Sequence, residues 1–482
     1  MTELRGVRAQ RDALDSREIS AVELCELHLN EIRRKDPLLN SFITIDEEGA
    51  LQAAKSADQR LGRQDRVQEV TGIPIAHKDV FYMRDTLTTC ASGMLQEFKP
   101  LHDATIVARL ADAGAVCLGK TNMDEFAMGS SNRTSFFGAV RNPWDLSRVP
   151  GGSSGGMAAA VAADLVPLAS GSDTGGSIRQ PAAFCGVSGL RPTYGRVSRH
   201  GMIPYAPSLD QAGPCARTVE DLGIMLVAME GYDPKDSTTS DRAATDTRKS
   251  WGPRTLGVPA AFMQQMEEDL WSPFGKSIHA FRRQGYRVQR IELPHFDIAV
   301  AAYYLIATAE ASTNLARYHG LRSGPRATEF NGVSHSHSQT HSEALGTEVK
   351  RRLLAGTYAL SERNGGRLLV QAQKIRRLVT EDLLKAFKSV DLVVTPTTPT
   401  TAFELEESAD SPVRMYSNDA FTVPSALAGL PALTVPCGFV GGLPAGVQLI
   451  AKHFHESELL STGRDFQRET DWHLSVPQLP TA

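Results

Sequence analysis

Two serines in glycine-rich runs carry most of the chemistry this chain can offer. Ser153 lies in Pro-Gly-Gly-Ser-Ser-Gly-Gly (150–156) and Ser177 in Gly-Ser-Asp-Thr-Gly-Gly-Ser-Ile-Arg (171–179). Glycine lacks a Cβ, so the backbone beside each hydroxyl can approach a substrate closely. Together they offer a nucleophile and a second hydroxyl. A serine hydroxyl is inert at neutral pH unless a base takes its proton, and no His-Asp arrangement presents itself. The candidate base is Lys78, in the apolar run Thr-Gly-Ile-Pro-Ile-Ala-His-Lys-Asp-Val (71–80). Burial disfavours a charged amine, and a neutral amine is what a base must be. Ser-Ser-Lys is then a workable proton relay. The successive N–H groups of Thr174, Gly175, Gly176 and Ser177 can form an oxyanion hole for a tetrahedral intermediate.

These residues need a large scaffold. The chain has 482 residues, 41% hydrophobic and 22% charged, the composition of a soluble globular protein that buries a large core. The motifs run from residue 71 to the C-terminal region, so one unit over 1–482 is expected. Its parts are an N-terminal helical segment (1–40), a catalytic core (65–220), an exposed polar loop (232–254) and a second half (255–482). A net charge of −4 gives no basic footprint for nucleic acid, which argues against DNA binding and leaves RNA contact to a partner. The six cysteines are scattered without a Cys-x-x-Cys pair and read as small buried apolar residues in a reducing compartment. No run of about 18 apolar residues occurs, so no membrane span is expected and a cytoplasmic location is.

Ser20 and Glu23 have capping-box spacing and open a helix through Lys35, with Asp36-Pro37 as its stop. Residues 40–45 read as a strand, 50–62 as an Ala-rich helix, and 71–80 as the strand that carries Lys78. A helix over 103–113 closed by Gly114 precedes a short strand over 115–119. Met157–Leu165 should be a buried helix beginning just after Ser153-Ser154. In the second half, strands at 256–258, 286–293, 390–395 and 433–435 accompany a long helix near 263–284. Alternating helices and strands place the fold in the α/β class with a mixed or parallel sheet.

On Gly72-Ile-Pro-Ile-Ala-His-Lys-Asp79, Pro150–Gly156 and Gly171–Pro181, the chain resembles the amidase signature family over most of its length. Longer strings resemble one branch of it, the glutaminase (A) subunits of tRNA-dependent amidotransferases. These strings are Gly119-Lys-Thr-Asn-Met-Asp-Glu-Phe-Ala-Met-Gly-Ser-Ser-Asn132, Arg191–Ser198 before Gly201-Met-Ile-Pro204, Ser208-Leu-Asp-Gln211 and Thr470-Asp-Trp-His473. The resemblance implies a mixed twisted central β-sheet covered by helices on both faces. It implies Ser177 as acyl-enzyme nucleophile, Ser153 as a bridging serine held by a cis peptide, and Lys78 as base. It also implies hydrolysis of glutamine to glutamate and ammonia, with Arg352 and Asp419 holding the substrate's α-carboxylate and α-ammonium and Tyr303 lining the pocket. No cofactor or metal is implied in this chain. The ammonia would pass to a B subunit that binds misacylated tRNA and uses ATP and Mg²⁺, with a small C subunit joining the two. The product would be Gln-tRNA(Gln), Asn-tRNA(Asn) or both.

Two stretches flanking Arg352 depart from that branch. Ser342-Glu-Ala-Leu-Gly346 stands where Glu-Gly-Phe-Gly is usual, and Glu362-Arg-Asn-Gly-Gly-Arg-Leu-Leu369 replaces an aromatic-rich Gly-Tyr-Tyr-Asp-Ala-Tyr-Tyr stretch. A standalone amidase using the same three residues on another amide is therefore the alternative reading. A catalytically idle interaction protein is disfavoured because Lys78, Ser153 and Ser177 are all present. His335, His337 and His341 could suggest a metal, but they complete no familiar ligand spacing and read as a solvated loop. His77 reads as a packing residue, Arg179 as a structural ion-pair residue, and Ser153 has helix capping as its alternative role.

Overall fold

The computed structural model describes residues 4–260, 265–320, 324–325, 332–361, 366–406 and 412–480. Among them, eleven strands form one mixed sheet: β1 (Phe42–Ile45), β2 (Pro74–Lys78), β3 (Val116–Thr121), β4 (Leu168–Asp173), β5 (Ser188–Arg191), β6 (Gln211–Ala216), β7 (Thr255–Pro259), β8 (Arg287–Ile291), β9 (Leu392–Pro396), β10 (Ala432–Val440) and β11 (Leu443–Ile450). Their order is β1-β3-β2-β4-β6-β5-β10-β11-β9-β7-β8. β2 runs parallel to both β3 and β4, and β7 parallel to both β8 and β9; the other neighbours are antiparallel. The α/β reading with a mixed sheet flanked by helices holds. Strands β2, β4, β5, β6, β9 and β11 are buried along their whole lengths, as expected for strands covered on both faces. No described helix is long and apolar enough to cross a membrane.

Local signals place most elements within a few residues. The first capping box forms as read: the Ser20 N–H donates to Glu23 Oε2 at 2.8 Å and the Glu23 N–H to Ser20 Oγ at 3.1 Å. The stop at Asp36-Pro37 is corrected. The helix Ala21–Leu39 contains Pro37 and ends at Asn40, which takes a left-handed conformation. A proline in the last turn removes one N–H, while the Asp36 carboxylate gathers the N–H groups of Ser41 and Phe42 beyond it. The buried Ala-rich helix spans Gly155–Ala162, with Ser154 rather than Ser153 at its N-cap, so capping is not what Ser153 does. The helix expected near 263–284 begins only at Trp271, after a short 3₁₀ turn at Glu268–Leu270; positions 263–264 of that expectation lie outside the described residues.

The polar stretch 232–254 carries no helix or strand, yet it is not simply exposed. Asp233 accepts from the Ser198 and Thr105 hydroxyls, and Glu230, just before it, accepts from Thr245 Oγ1 at 2.7 Å. The three histidines lie on the helix Val333–Ala344, not on a loop. His341 Nε2 bonds the Tyr318 carbonyl at 2.7 Å, and no group of three metal-binding side chains occurs among the described residues. All six cysteines are free thiols; five are buried and Cys117 is partly so.

Candidate active site

Lys78 is the last residue of β2, a strand buried at all five positions. Its Nζ lies 2.7 Å from Ser153 Oγ and 2.8 Å from Ser172 Oγ. Among the described residues neither hydrogen-bond partner of the amine is a carboxylate. Burial pulls its pKa down to about 7, against the opposing pull of Cys90, Asp124, Asp173 and Asp210. A lysine at that value is half neutral at about pH 7, and its lone pair can accept the Ser153 proton. Ser172 arrives because β4 runs parallel beside β2, with His77 in register with Ser170. His77 is buried, and its Nδ1 meets Ser170 Oγ at 2.8 Å, the packing role expected of it.

Ser153 follows a cis peptide bond from Gly152. Its carbonyl accepts from the Asp124 N–H at 3.1 Å, while the Gly152 N–H donates to Gln180 Oε1 at 2.8 Å. The Ser154 N–H donates to the carbonyl of Ser177 at 3.2 Å, which ties the two serine loops together. Lys78 and Ser153 are fully buried, whereas Ser177 keeps 8% exposure, so of the three it is Ser177 that a substrate can reach.

The backbone N–H groups of Gly175, Gly176 and Ser177 donate to no acceptor among the described residues. Three orphan donors in succession suit an oxyanion. Glycine is required there for space. A Cβ on Gly175 would lie 2.6 Å from Tyr303 Cζ, and one on Gly176, whose φ is +148°, would collide with Thr422. A buried ion cluster fixes this loop. Arg179 forks onto Asp173 through Nε at 2.8 Å and Nη2 at 2.9 Å, and its Nη1 reaches the Thr422 carbonyl, Ser425 Oγ and Gln448 Oε1. Arg191 joins on the other side. Burial pushes the Asp173 carboxyl up, but the two guanidinium groups win and hold it at about 2. Arg179 is therefore a structural ion-pair residue, as its motif suggested.

One wall beside the glycines is aromatic and charged. Tyr303 and Tyr304 lie on the helix Ala299–Leu315 and Arg352 on the helix Thr347–Leu360. The Arg352 guanidinium lies 5.2–5.6 Å from the ring centroids of Tyr205, Tyr304 and Tyr416. Its Nε donates to Glu348 Oε1 at 2.9 Å and Nη1 to Tyr205 Oη at 3.0 Å, but its buried Nη2 has no partner among the described residues. Asp419 accepts from Tyr304 Oη at 2.9 Å and from Ser130 Oγ at 3.0 and 3.1 Å. Burial raises its pKa to about 6. Thr422 Oγ1 donates to the Gly175 carbonyl at 2.6 Å, which fastens the Asp419 segment to the glycine loop.

A buried lysine hydrogen-bonded to a serine, a second accessible serine and a row of N–H groups without acceptors among the described residues are parts that acyl transfer needs, and comparison with known proteins bears on the kind of protein that carries them. The amidase family model matches residues 23–460. The chain belongs to the amidase family. A relative in Azoarcus sp. (strain BH72), the A subunit of glutamyl-tRNA(Gln) amidotransferase, is 51% identical over 97% of this chain and 98% of its own length. The crystal structure of the Thermotoga maritima protein of the same name is similar at a TM-score of 0.80 and 37% identity, covering 95% of each chain. The peptide amidase PAM, solved with the competitive inhibitor chymostatin, reaches a TM-score of 0.84 at 30% identity over 98% of this chain and 99% of its own.

Reading the amidase motifs alone misses Ser172, Tyr205, Tyr304, Glu348 and Tyr416. Ser172 sits inside a quoted motif, two residues before Thr174, and its alternation with Ser170 on a strand beside β2 is the available signal. The tyrosines come from distant parts of the chain and converge only through packing around Arg352. Of the departing stretches, 362–365 lie outside the described residues, Arg367–Leu369 open the helix Arg367–Ala386, and the Gly346 N–H donates to Glu125 Oε2 at 2.8 Å.

Proposed function

We propose that this amidase is the glutaminase subunit of a tRNA-dependent amidotransferase, with Lys78, Ser153 and Ser177 as its catalytic residues. The observation that carries the reading is the combination of the 2.7 Å Lys78–Ser153 contact with the buried Nη2 of Arg352, which has no partner among the described residues. A guanidinium nitrogen left unpaired in a buried site is costly, and a carboxylate satisfies it best. Glutamine brings an α-carboxylate for Arg352 and an α-ammonium for Asp419, with Tyr303 lining the pocket against the Gly175 backbone.

In this mechanism Ser177 Oγ attacks the side-chain amide carbon, and its proton passes through Ser153 to neutral Lys78. The N–H groups of Thr174, Gly175, Gly176 and Ser177 stabilise the oxyanion, and the Thr174 hydroxyl donates to Asp210 Oδ1 at 2.6 Å. The relay returns the proton to the leaving nitrogen, ammonia departs, and water cleaves the glutamyl ester to regenerate Ser177. Glutamine and water become glutamate and ammonia.

The name shared by the relatives supports an assembly of several different chains. In it, a B subunit would take the ammonia, bind misacylated Glu-tRNA(Gln) or Asp-tRNA(Asn) and use ATP with Mg²⁺, and a C subunit would join the two in a cytoplasmic heterotrimer. The single sheet drawn from both halves of the chain supports treating 1–482 as one unit. The test is ammonia release from glutamine by this chain, alone and with the B and C subunits, misacylated tRNA and ATP, with Ser177→Ala as control. Partner-stimulated release abolished by S177A is expected. Cleavage of simple amides without glutamine turnover in any mixture would refute the reading and make the chain a standalone amidase.

A further inference from the structure

Gln180 is buried completely in the first turn of the helix Arg179–Cys185, three residues after Ser177, and among the described residues its side-chain hydrogen bonds go to neither Lys78 nor Ser177. Its side chain nevertheless joins the parts of the site. Oε1 accepts the Gly152 N–H at 2.8 Å, on the peptide that presents Ser153. Nε2 donates to the Ser130 carbonyl at 2.9 Å, and the Ser130 hydroxyl in turn bonds Asp419. Its own backbone N–H bonds the Gly176 carbonyl at 2.8 Å, which ties it to the nucleophile's loop. The amide orientation follows from the chemistry, because the reverse flip would set two N–H donors against each other across the Gly152 contact. A side chain that accepts at one end and donates at the other is required at this point, and an apolar residue would strand a buried donor and a buried acceptor.

We propose that Gln180 is a positioning residue for the reaction, holding Ser153 in line between Lys78 and Ser177 and fixing that arrangement relative to the Asp419 wall. The inference rests on the glutaminase reading above. Its strength is that three separate segments (150–153, 130 and 176–180) meet on one amide, so no two of them can shift relative to each other while both bonds persist.

The experiment measures kcat and KM for glutamine in the complete complex for Gln180→Met, Gln180→Asn and Gln180→Glu, with thermal unfolding recorded for each. Q180M keeps the volume without the polar ends, and Q180N keeps the amide but is too short to span both partners. Both should lower kcat about 10- to 100-fold, the cost of misplacing a reacting group by roughly an ångström, with KM within about threefold of wild type. Q180E should recover activity relative to wild type as pH falls, because a protonated carboxyl can accept from Gly152 and donate to Ser130 where the carboxylate cannot. Either of Q180M and Q180N, folded and with wild-type kcat, overturns the proposal, as does a change confined to KM. The glutaminase reading fails separately, by absence of S177A-sensitive glutamine turnover in the wild-type complex.

Discussion

Glutamine hydrolysis should switch on through neutral pH and not through the alkaline range of an ordinary lysine. The base must be neutral to accept the Ser153 proton, and among the described residues the fully buried Lys78 amine bonds two hydroxyls and no carboxylate. Burial brings its pKa from 10.5 to about 7, a change that corresponds to about 5 kcal/mol between the two protonation states. The neutral fraction is then about one tenth at pH 6, one half at pH 7 and nine tenths at pH 8, whereas an unperturbed lysine would be less than about 1% neutral at pH 8. Asp419, raised by burial to about 6, must be ionised to hold an ammonium, so it steepens the acid limb below that value. The assay is kcat/KM for ammonia release in the complete complex from about pH 5.5 to 9.5, which reports the free enzyme. A plateau above about pH 8 is expected. A tenfold rise per pH unit continuing past pH 9, or a flat profile between pH 6 and 8, would refute the argument from burial.

Arg352→Lys should raise KM for glutamine about 10- to 100-fold, since an ammonium cannot keep Glu348 and Tyr205 while offering a planar nitrogen to a carboxylate; steady-state kinetics decide it. Lys78→Met should show the stability side of the same burial. Between about pH 10.5 and 7 the unfolded lysine holds a proton that the folded one lacks, so folding weakens as pH falls through that window and levels off below about 7. Methionine does not titrate, so the mutant's stability advantage in urea unfolding should grow by about 2 kcal/mol from pH 9 to pH 7. Asp173→Asn should cost about 3–5 kcal/mol in the same unfolding assay, because it leaves Arg179 and Arg191 buried without their anion. The Asp173 carboxyl sits at about 2 when folded, so the cost should be complete above about pH 4 and fade only toward pH 2.

The strands flanking the site were legible because they are short, apolar and punctuated. Residues 71–80 read as a strand and β2 is Pro74–Lys78; 115–119 read as a strand and β3 is Val116–Thr121. The serines and the lysine were legible because glycine runs and an apolar neighbourhood mark them locally. What was not legible was whatever depends on distant partners. Pro37 looked like a helix stop because its sequence context does not show Asp36 collecting two N–H groups past the helix end. The stretch 232–254 looked solvated because its Asp and Thr residues are polar, yet several are hydrogen-bonded inward. The His-Ser-His run has loop-like composition but lies on a helix whose last turns pack near Tyr318.

The same distinction bears on the two stretches that depart from the amidotransferase pattern. Both adjoin the helix that carries Arg352, and a specificity residue on a freely varying segment would be a poor guide to substrate. Among the described residues, the partners that orient Arg352 lie outside those stretches. Glu348 lies one turn earlier on the same helix and receives Tyr416 Oη at 2.8 Å, while Tyr205 comes from the segment before β6 and Tyr304 from another helix. Tyr304 also bonds Asp419, so the group for a carboxylate and the group for an ammonium share one phenol between them. Their spacing is set by packed elements on three sides. On the proposed glutaminase reading, changes at 342–346 should therefore leave recognition of the α-carboxylate and α-ammonium to Arg352 and Asp419.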